Sequence, residues 1–508
     1  MRVRRSLLNF GTTALLMLVT TAVSLPATRW LREWLGDSLL GGAKVVNDAF
    51  GWLTLLELGL AGAIGPLLAR AIGQGDHRTM QETIAAGARV YFCLVLFIMA
   101  LGLAIAPIVP RFAQGLTASE LVDLRHAWIL QLAAFATLVS LPLRSIVEAK
   151  QLGYVINILL LIQSLLITGL SLVMARAGWG LTGQAASQVI GGWVFSLALA
   201  VGVFRTHPGL LRAIFTMRTR PETRRALRNL SLPSLVINLA GRLSVMSDSL
   251  FVGALRNTEK VTMLVLTQKL ATQGQMILQA VGSASWVALA ELHAQGQIET
   301  FNRRLIEMTR MVAVLAVIGF VPAIAFNHAF VRLWQGPAFG YGGDAVIVLA
   351  AINALLLAEQ SLWAWCFSAT GKIGRVIPIS VFAAIVNATG SYFMTLRLGL
   401  IGPLIGSAVA FVTVGLWALP WLLRRTFGTP PAALLRAVAV PFAVGGIATW
   451  GLRMLTLHHE PVTWIGLAVA MSLTALVMAA LSAVVLLTPE DRTLWRQRVV
   501  ALRGGGSS

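Results

Sequence analysis

Among the side chains able to hold charge or donate strong hydrogen bonds inside long apolar runs are Glu57, Asn238, Arg242, Asp248, Lys269, Gln273 and Glu359. An ionisable group surrounded by hydrocarbon is costly, so each marks a candidate functional position. Stepped at 100° per residue from Asn238, the positions Gly241, Arg242, Val245, Asp248 and Ser249 fall within an arc of about 120°. Thr262, Lys269, Thr272, Gln273, Met276 and Ser283 share one side of the next run by the same arithmetic. Two neighbouring helices with cationic centres at Arg242 and Lys269 would line a cavity that attracts an anion. A pyrophosphate needs such compensation where water is scarce. Asn238 and Gln273 would add hydrogen bonds to that cavity. Two blander readings stand beside it: Arg242 pairs internally with Asp248 and only locks helices together, or Lys269 extends to an interface.

Glu57, Asp248 and Glu359 are the candidates for coupling to a proton or sodium ion. Glu57 lies among Leu55, Leu56 and Leu58 with no sequence-local partner. Glu148 is four residues from Arg144, the spacing of an ordinary helix-surface pair. Trp363 and Trp365 beside Glu359 read as core or interface before they read as a platform for a sugar. No catalytic constellation emerges. The seven histidines form no metal-ligand spacing, and there is no GxxxxGK[ST] phosphate loop, so the expectation is no catalytic residue, no metal and no cofactor.

The elements that must position these residues follow from composition. A mean hydropathy of +0.79 with 12% charged residues excludes an ordinary soluble chain, where about a quarter of residues are charged. Apolar runs of about 20 residues, long enough to cross a hydrocarbon core of ~30 Å, recur throughout. Such runs must be helical, because lipid offers no partner to an open backbone. About fourteen are counted, roughly 7–28, 39–69, 84–108, 124–148, 151–175, 181–204, 230–254, 259–290, 305–329, 343–369, 376–396, 400–423, 434–455 and 462–487. The expected fold class is an all-α membrane protein.

A net charge of +20 raises the question of nucleic acid, and the distribution of the charge rules it out. Arginine and lysine alternate between loops: the inner segments hold Arg70, Arg78, Arg144, Lys150, Arg205, Arg212, Arg303, Arg304 and Arg424 among many others. The outer segments, with Arg29, Arg32, Lys44, Arg111, Arg125, Arg256, Lys260, Arg332 and Arg453, hold fewer than half the inner total. This bias places both ends of the chain in the cytoplasm. The longest inner segment, 205–229, carries seven arginines against Glu222; it reads as a linker, and its charge also suits anionic headgroups. Met-Arg-Val-Arg-Arg precedes a first span that is read as retained, and Cys93 and Cys366 both lie in apolar runs.

The chain repeats itself. Residues 62–115 return 221 positions later as 283–336, both copies reading Gln-Gly, an arginine fourteen residues on, and then Arg-x-x-Gln-Gly. Gly180-Leu181-x-Gly183 returns as Gly399-Leu400-x-Gly402. Duplication in a hydrophobic chain is a mark of many transporter folds. The plan is a six-helix lobe over 1–204, a basic linker over 205–229, a second six-helix lobe over 230–424, and two further helices with a tail over 425–508. Gly191-Gly192 and Gly402-x-x-x-Gly406 mark close helix contacts.

From Leu35-Gly36-Asp37 through Leu55-Leu56-Glu57-Leu58-Gly59 to Gly73-Gln74-Gly75-Asp76, and again at Pro233, Asp248 and Ala290-Glu291-Leu292-His293-Ala294-Gln295-Gly296, the chain resembles Wzx-type polysaccharide flippases. Their superfamily also holds the lipid II flippase MurJ and the multidrug and toxin extrusion (MATE) exporters. The resemblance implies two lobes related by a pseudo-twofold along the membrane normal, a central cavity, and alternating access. It implies a lipid-linked oligosaccharide as substrate, a bacterial inner membrane as location, H+ or Na+ as coupling ion, and a polysaccharide polymerase or co-polymerase as partner. Arginines of the kind lipid II flippases carry in the first lobe have no equivalents in span one, and MATE exporters normally have twelve spans. Short outer loops, such as 109–123, count against a membrane enzyme of glycan assembly.

Overall fold

The computed structural model describes residues 2–54, 57, 64–65, 67–68, 71–72, 74–223, 225, 248–456 and 460–486. Among them every regular element is a helix, and ten helices are long and apolar enough to cross a membrane. Two of the ten hold two of the expected spans each. Helix α1 (Arg2–Thr54) breaks at Gly36, whose φ of 81° and ψ of 168° are open to glycine and strained for other residues. The stretch Ile377–Phe427 turns at Gly399 (φ 66°, ψ −122°). Span 230–254 falls mostly outside the described residues, and span 259–290 is broken at Gln268.

The chain forms two compact units, Met1–Thr262 and Met263–Ser508. In the first, α1 is followed by α2 (His77–Ile105), α3 (Ala118–Leu132), α4 (Leu141–Ala149), α5 (Gly153–Arg176), α6 (Gly180–Thr206), α7 (Leu210–Thr216), α8 (Asp248–Leu255) and the start of α9 (Thr258–Thr267), whose residues after Thr262 belong to the second unit. Local chemistry fixes the starts. The Asp76 carboxylate accepts from the Thr79 amide at 2.9 Å, and Thr117 with Glu120 forms a capping box. The Asp123 carboxylate of α3 accepts from the Leu181 and Thr182 amides, at 2.6 and 3.0 Å, and so caps α6. Helices α8 and α9 pack in this unit: the Thr262 hydroxyl donates to the Asp37 carbonyl at 2.7 Å, and the Thr258 amide to the Gln114 carbonyl at 2.9 Å. A core of Ile64, Leu68, Ile84, Tyr91, Ile146, Phe195 and Leu210 joins α2, α4, α6 and α7.

The second unit runs α10 (Lys269–Ala294), α11 (Ile298–Ala325), α12 (Asn327–Gln335), α13 (Asp344–Ala369), α14 (Ile377–Leu398), α15 (Gly402–Ala410), α16 (Leu416–Phe427), α17 (Pro431–Thr456) and α18 (Trp464–Leu481). A π-helical turn, Phe411–Gly415, joins α15 to α16. The Gly402-x-x-x-Gly406 pattern does what its spacing promises: a Cβ at Gly406 would fall on the Ser391 backbone nitrogen, and one at Gly402 on Thr395. Helices α14 and α15 therefore meet backbone to backbone. Helices α17 and α18 both pack on α11, through Val317, Val321 and Met478. Paired glycines of the sequence repeat take matching backbone conformations. Gly75 and Gly296 have φ of 68° and 73°, and Gly115 and Gly336 have 87° and 88°.

Candidate functional site

The first unit gathers a polar group inside the bundle. On α1, Lys44 Nζ lies 2.5 Å from Asp48 Oδ1, and the Asp48 side chain is buried. One residue before it, the Asn47 carboxamide oxygen accepts from Gln131 of α3 at 2.8 Å. Asp248, the first residue of α8, stands within electrostatic reach of both Asp48 and Lys44. Its Oδ1 is buried and has no hydrogen-bond partner among the described residues. Sequence reasoning singled out Asp248 and missed Lys44, Asn47, Asp48 and Gln131. The signal was a Lys-x-x-Asn-Asp turn within an apolar run. Glu57 lies elsewhere in the unit, where its Oε1 accepts from the Tyr91 hydroxyl at 2.8 Å, both side chains being buried. Tyr91 is thus the long-range partner that sequence proximity could not supply.

Asn238 and Arg242 lie outside the described residues. Lys269 and Gln273 lie within them, half-buried, in the first turn and a half of α10. The arc drawn through 259–290 treated that run as one helix. At Gln268, with ψ of 7°, the chain leaves one helix and enters the next. Thr262 therefore faces α1, while Thr272 and Met276 are exposed on α10.

Glu359, on α13, is completely buried, and neither of its carboxyl oxygens has a hydrogen-bond partner among the described residues. Its neighbours are committed to structure. Gln360 donates at 3.0 Å to the Phe411 carbonyl of the π turn, which also accepts from the Leu416 amide. Trp363 is buried and donates to Thr309 at 3.0 Å, so it belongs to the core. Arg144 and Glu148 form the expected helix-surface pair at 2.8 Å.

The second unit also holds a cavity of about 340 Å³ between α11, α13 and α17, lined by Val317, Phe320, Ala351, Leu355, Gly446 and Trp450 among others. The polar lining residues are Thr449 and the pair Arg453 and Asp344, which meet at 2.6 Å at one end. The same guanidinium donates to the Ala325 carbonyl at 3.1 Å and lies 3.6 Å from Glu460, which His328 contacts at 2.7 Å. This arrangement suits a hydrocarbon chain along its length and excludes a strongly hydrated ion from all but the Arg453 end.

These helices and interior polar groups define a multi-pass membrane protein with the fold of the MATE and MurJ transporters. Residues 13–173 match the MatE family model. An inward-facing multidrug resistance MATE family transporter of the MOP superfamily superposes with a TM-score of 0.61 at 17% identity, over 87% of this chain and 99% of that one. The lipid II flippase MurJ, in an inward closed conformation, superposes with a TM-score of 0.67 at 12% identity, over 92% of this chain and 98% of the other. An outward-facing MATE structure gives 0.57 at 16% identity, over 88% and 96%. No curated protein matches the chain.

Proposed function

We propose that the protein is a flippase that carries undecaprenyl-pyrophosphate-linked oligosaccharide across the bacterial inner membrane by alternating access, for surface or exopolysaccharide synthesis. The observation that supports this reading is the apolar cavity bounded by α17, with its charged pair at one end. The headgroup would occupy a central cavity while the tail stays in hydrocarbon. An apolar surface of this kind lets a prenyl tail lie along the protein, whereas small hydrated cations gain nothing from it. The structural likeness to a flippase of a lipid-linked substrate agrees with it. Lys269 and Gln273, with Arg242 and Asn238, would hold the pyrophosphate headgroup. Glu359, Asp248 and Glu57 would take the coupling H+ or Na+.

One observation favours a second reading, an exporter of organic cations: the pairing of Asp48 with Asp248 around a single lysine. The two readings separate in a strain lacking the gene. Under the first, surface glycan is lost and returns with the wild-type protein. Lys269→Ala inserts normally and fails to restore it, while Lys269→Arg restores part. Intact glycan in the deletion strain, with new sensitivity to cationic dyes, overturns the flippase reading.

A further inference from the structure

The segment after α6 combines a fixed position with an uncommitted outer face. Leu210 is fully buried, and Leu210 and Ile214 both pack in the first unit's core, so one side of α7 is anchored. The Arg89 guanidinium of α2 donates to the Met217 carbonyl and to the Thr219 hydroxyl. Glu82, almost wholly buried, lies 3.3 Å from both Arg78 and Arg220. Four side chains of α2 and the linker thus hold residues 217–220 against the base of the bundle.

The other side of α7 is left open. Leu211 and Phe215, one helical turn apart, are 52% and 79% exposed. They continue the exposed apolar face of α6, on which Leu197 and Val201 are 57% and 47% exposed before the chain reaches Arg205. Arg205, Arg212 and Arg218 are exposed, and none has an ion pair or hydrogen bond from its side chain among the described residues. Arg220 is excluded from this set because Glu82 occupies it. Exposed leucine and phenylalanine beside uncommitted arginines, continuous with a membrane-facing helix, is the composition of a segment lying in the headgroup region.

We propose that α7 is an interfacial docking surface for anionic phospholipid, in the leaflet that the arginine distribution assigns to the cytoplasm. Leu211 and Phe215 enter the acyl boundary, and Arg205, Arg212 and Arg218 take headgroup phosphates. The contacts through Arg89 and Glu82 transmit that attachment to α2.

The test uses the full chain in nanodiscs, with Cys93→Ser removing the exposed thiol and the buried Cys366 retained. A fluorophore is placed at Thr216→Cys, beside the apolar pair. Brominated phosphatidylglycerol should quench it more strongly than brominated phosphatidylcholine, and high salt should remove the difference. Each arginine changed to glutamine at 205, 212 or 218 should lower the preference about fivefold, and the triple change should abolish it with the protein still folded. Quenching that is equal for the two lipids overturns the anionic preference. No quenching by either places α7 in water or against another protein, and overturns the proposal outright.

Discussion

Gly445 and Gly446 stand side by side on α17, and both border the apolar cavity. A Cβ at Gly446 meets nothing within 4 Å, whereas one at Gly445 would sit 2.9 Å from Val317 Cγ2. Leucine at 446 enters open space; leucine at 445 must displace a buried valine. Both changes gain nearly 1 kcal/mol of helix propensity. Neither gains further from burial, because lipid tails are as apolar as leucine. Overpacking at 445 costs about 1–3 kcal/mol, so the net there is a loss of up to about 2 kcal/mol, while Gly446→Leu should be neutral or slightly stabilising. Thermal unfolding of the purified proteins in detergent reads that difference. Glycan export reads the function: if the cavity receives the prenyl chain, Gly446→Leu should impair export in a protein at least as stable as wild type. A stable Gly446→Leu protein that exports at the wild-type rate refutes the assignment of the cavity to the lipid tail.

Gly406→Ala should destabilise the second unit by about 1–3 kcal/mol, since the added methyl meets the Ser391 backbone, which has no rotamer to yield; detergent melting checks this. Tyr91→Phe leaves Glu57 without the phenolic donor and should cost about 1–3 kcal/mol, read by the same melt. Burial first and Lys150 second lower the His207 pKa below its ordinary 6.5. A histidine with a depressed folded pKa leaves stability intact above about pH 6.5 and loses it as pH falls below that value, because the unfolded state takes up the proton first. The melting temperature should therefore drop on acidification from that point, and His207→Gln should flatten the drop. An alkaline phosphatase fusion after residue 340 should be active and one after residue 215 inactive, and the reverse pattern would invert the orientation drawn from the arginines.

The parts of the fold that were legible in the sequence are those fixed by local spacing. Apolar length located the helices, the Gly402–Gly406 spacing located the backbone contact of α14 with α15, and the i,i+4 rule located Arg144 with Glu148. The repeat was visible through glycines that the structure holds at matching φ angles. Helical-wheel arithmetic treats 259–290 as one helix, and Gln268, with ψ of 7°, divides that run between two. The contacts that build the interior were not legible. Tyr91 reaches Glu57 from another helix, and Asp344, Arg453, Glu460 and His328 assemble from four separate stretches. No spacing rule links such residues, since tertiary packing alone brings them together. Lys44 and Asp48 were legible in principle at i,i+4 spacing, and were passed over because Lys44 counts among the loop cations when only the charge distribution is weighed.

The central claim is tested most directly by the purified full-length protein in proteoliposomes loaded with undecaprenyl-pyrophosphate-linked oligosaccharide. Transfer between leaflets is followed with a membrane-impermeant glycosidase added outside. The account predicts that protein-containing vesicles expose the inner-leaflet pool with time, that empty vesicles do not, and that Lys269→Ala vesicles behave as empty ones. If the wild-type protein leaves that pool protected while the same vesicles extrude a cationic dye against an ion gradient, the flippase account is contradicted.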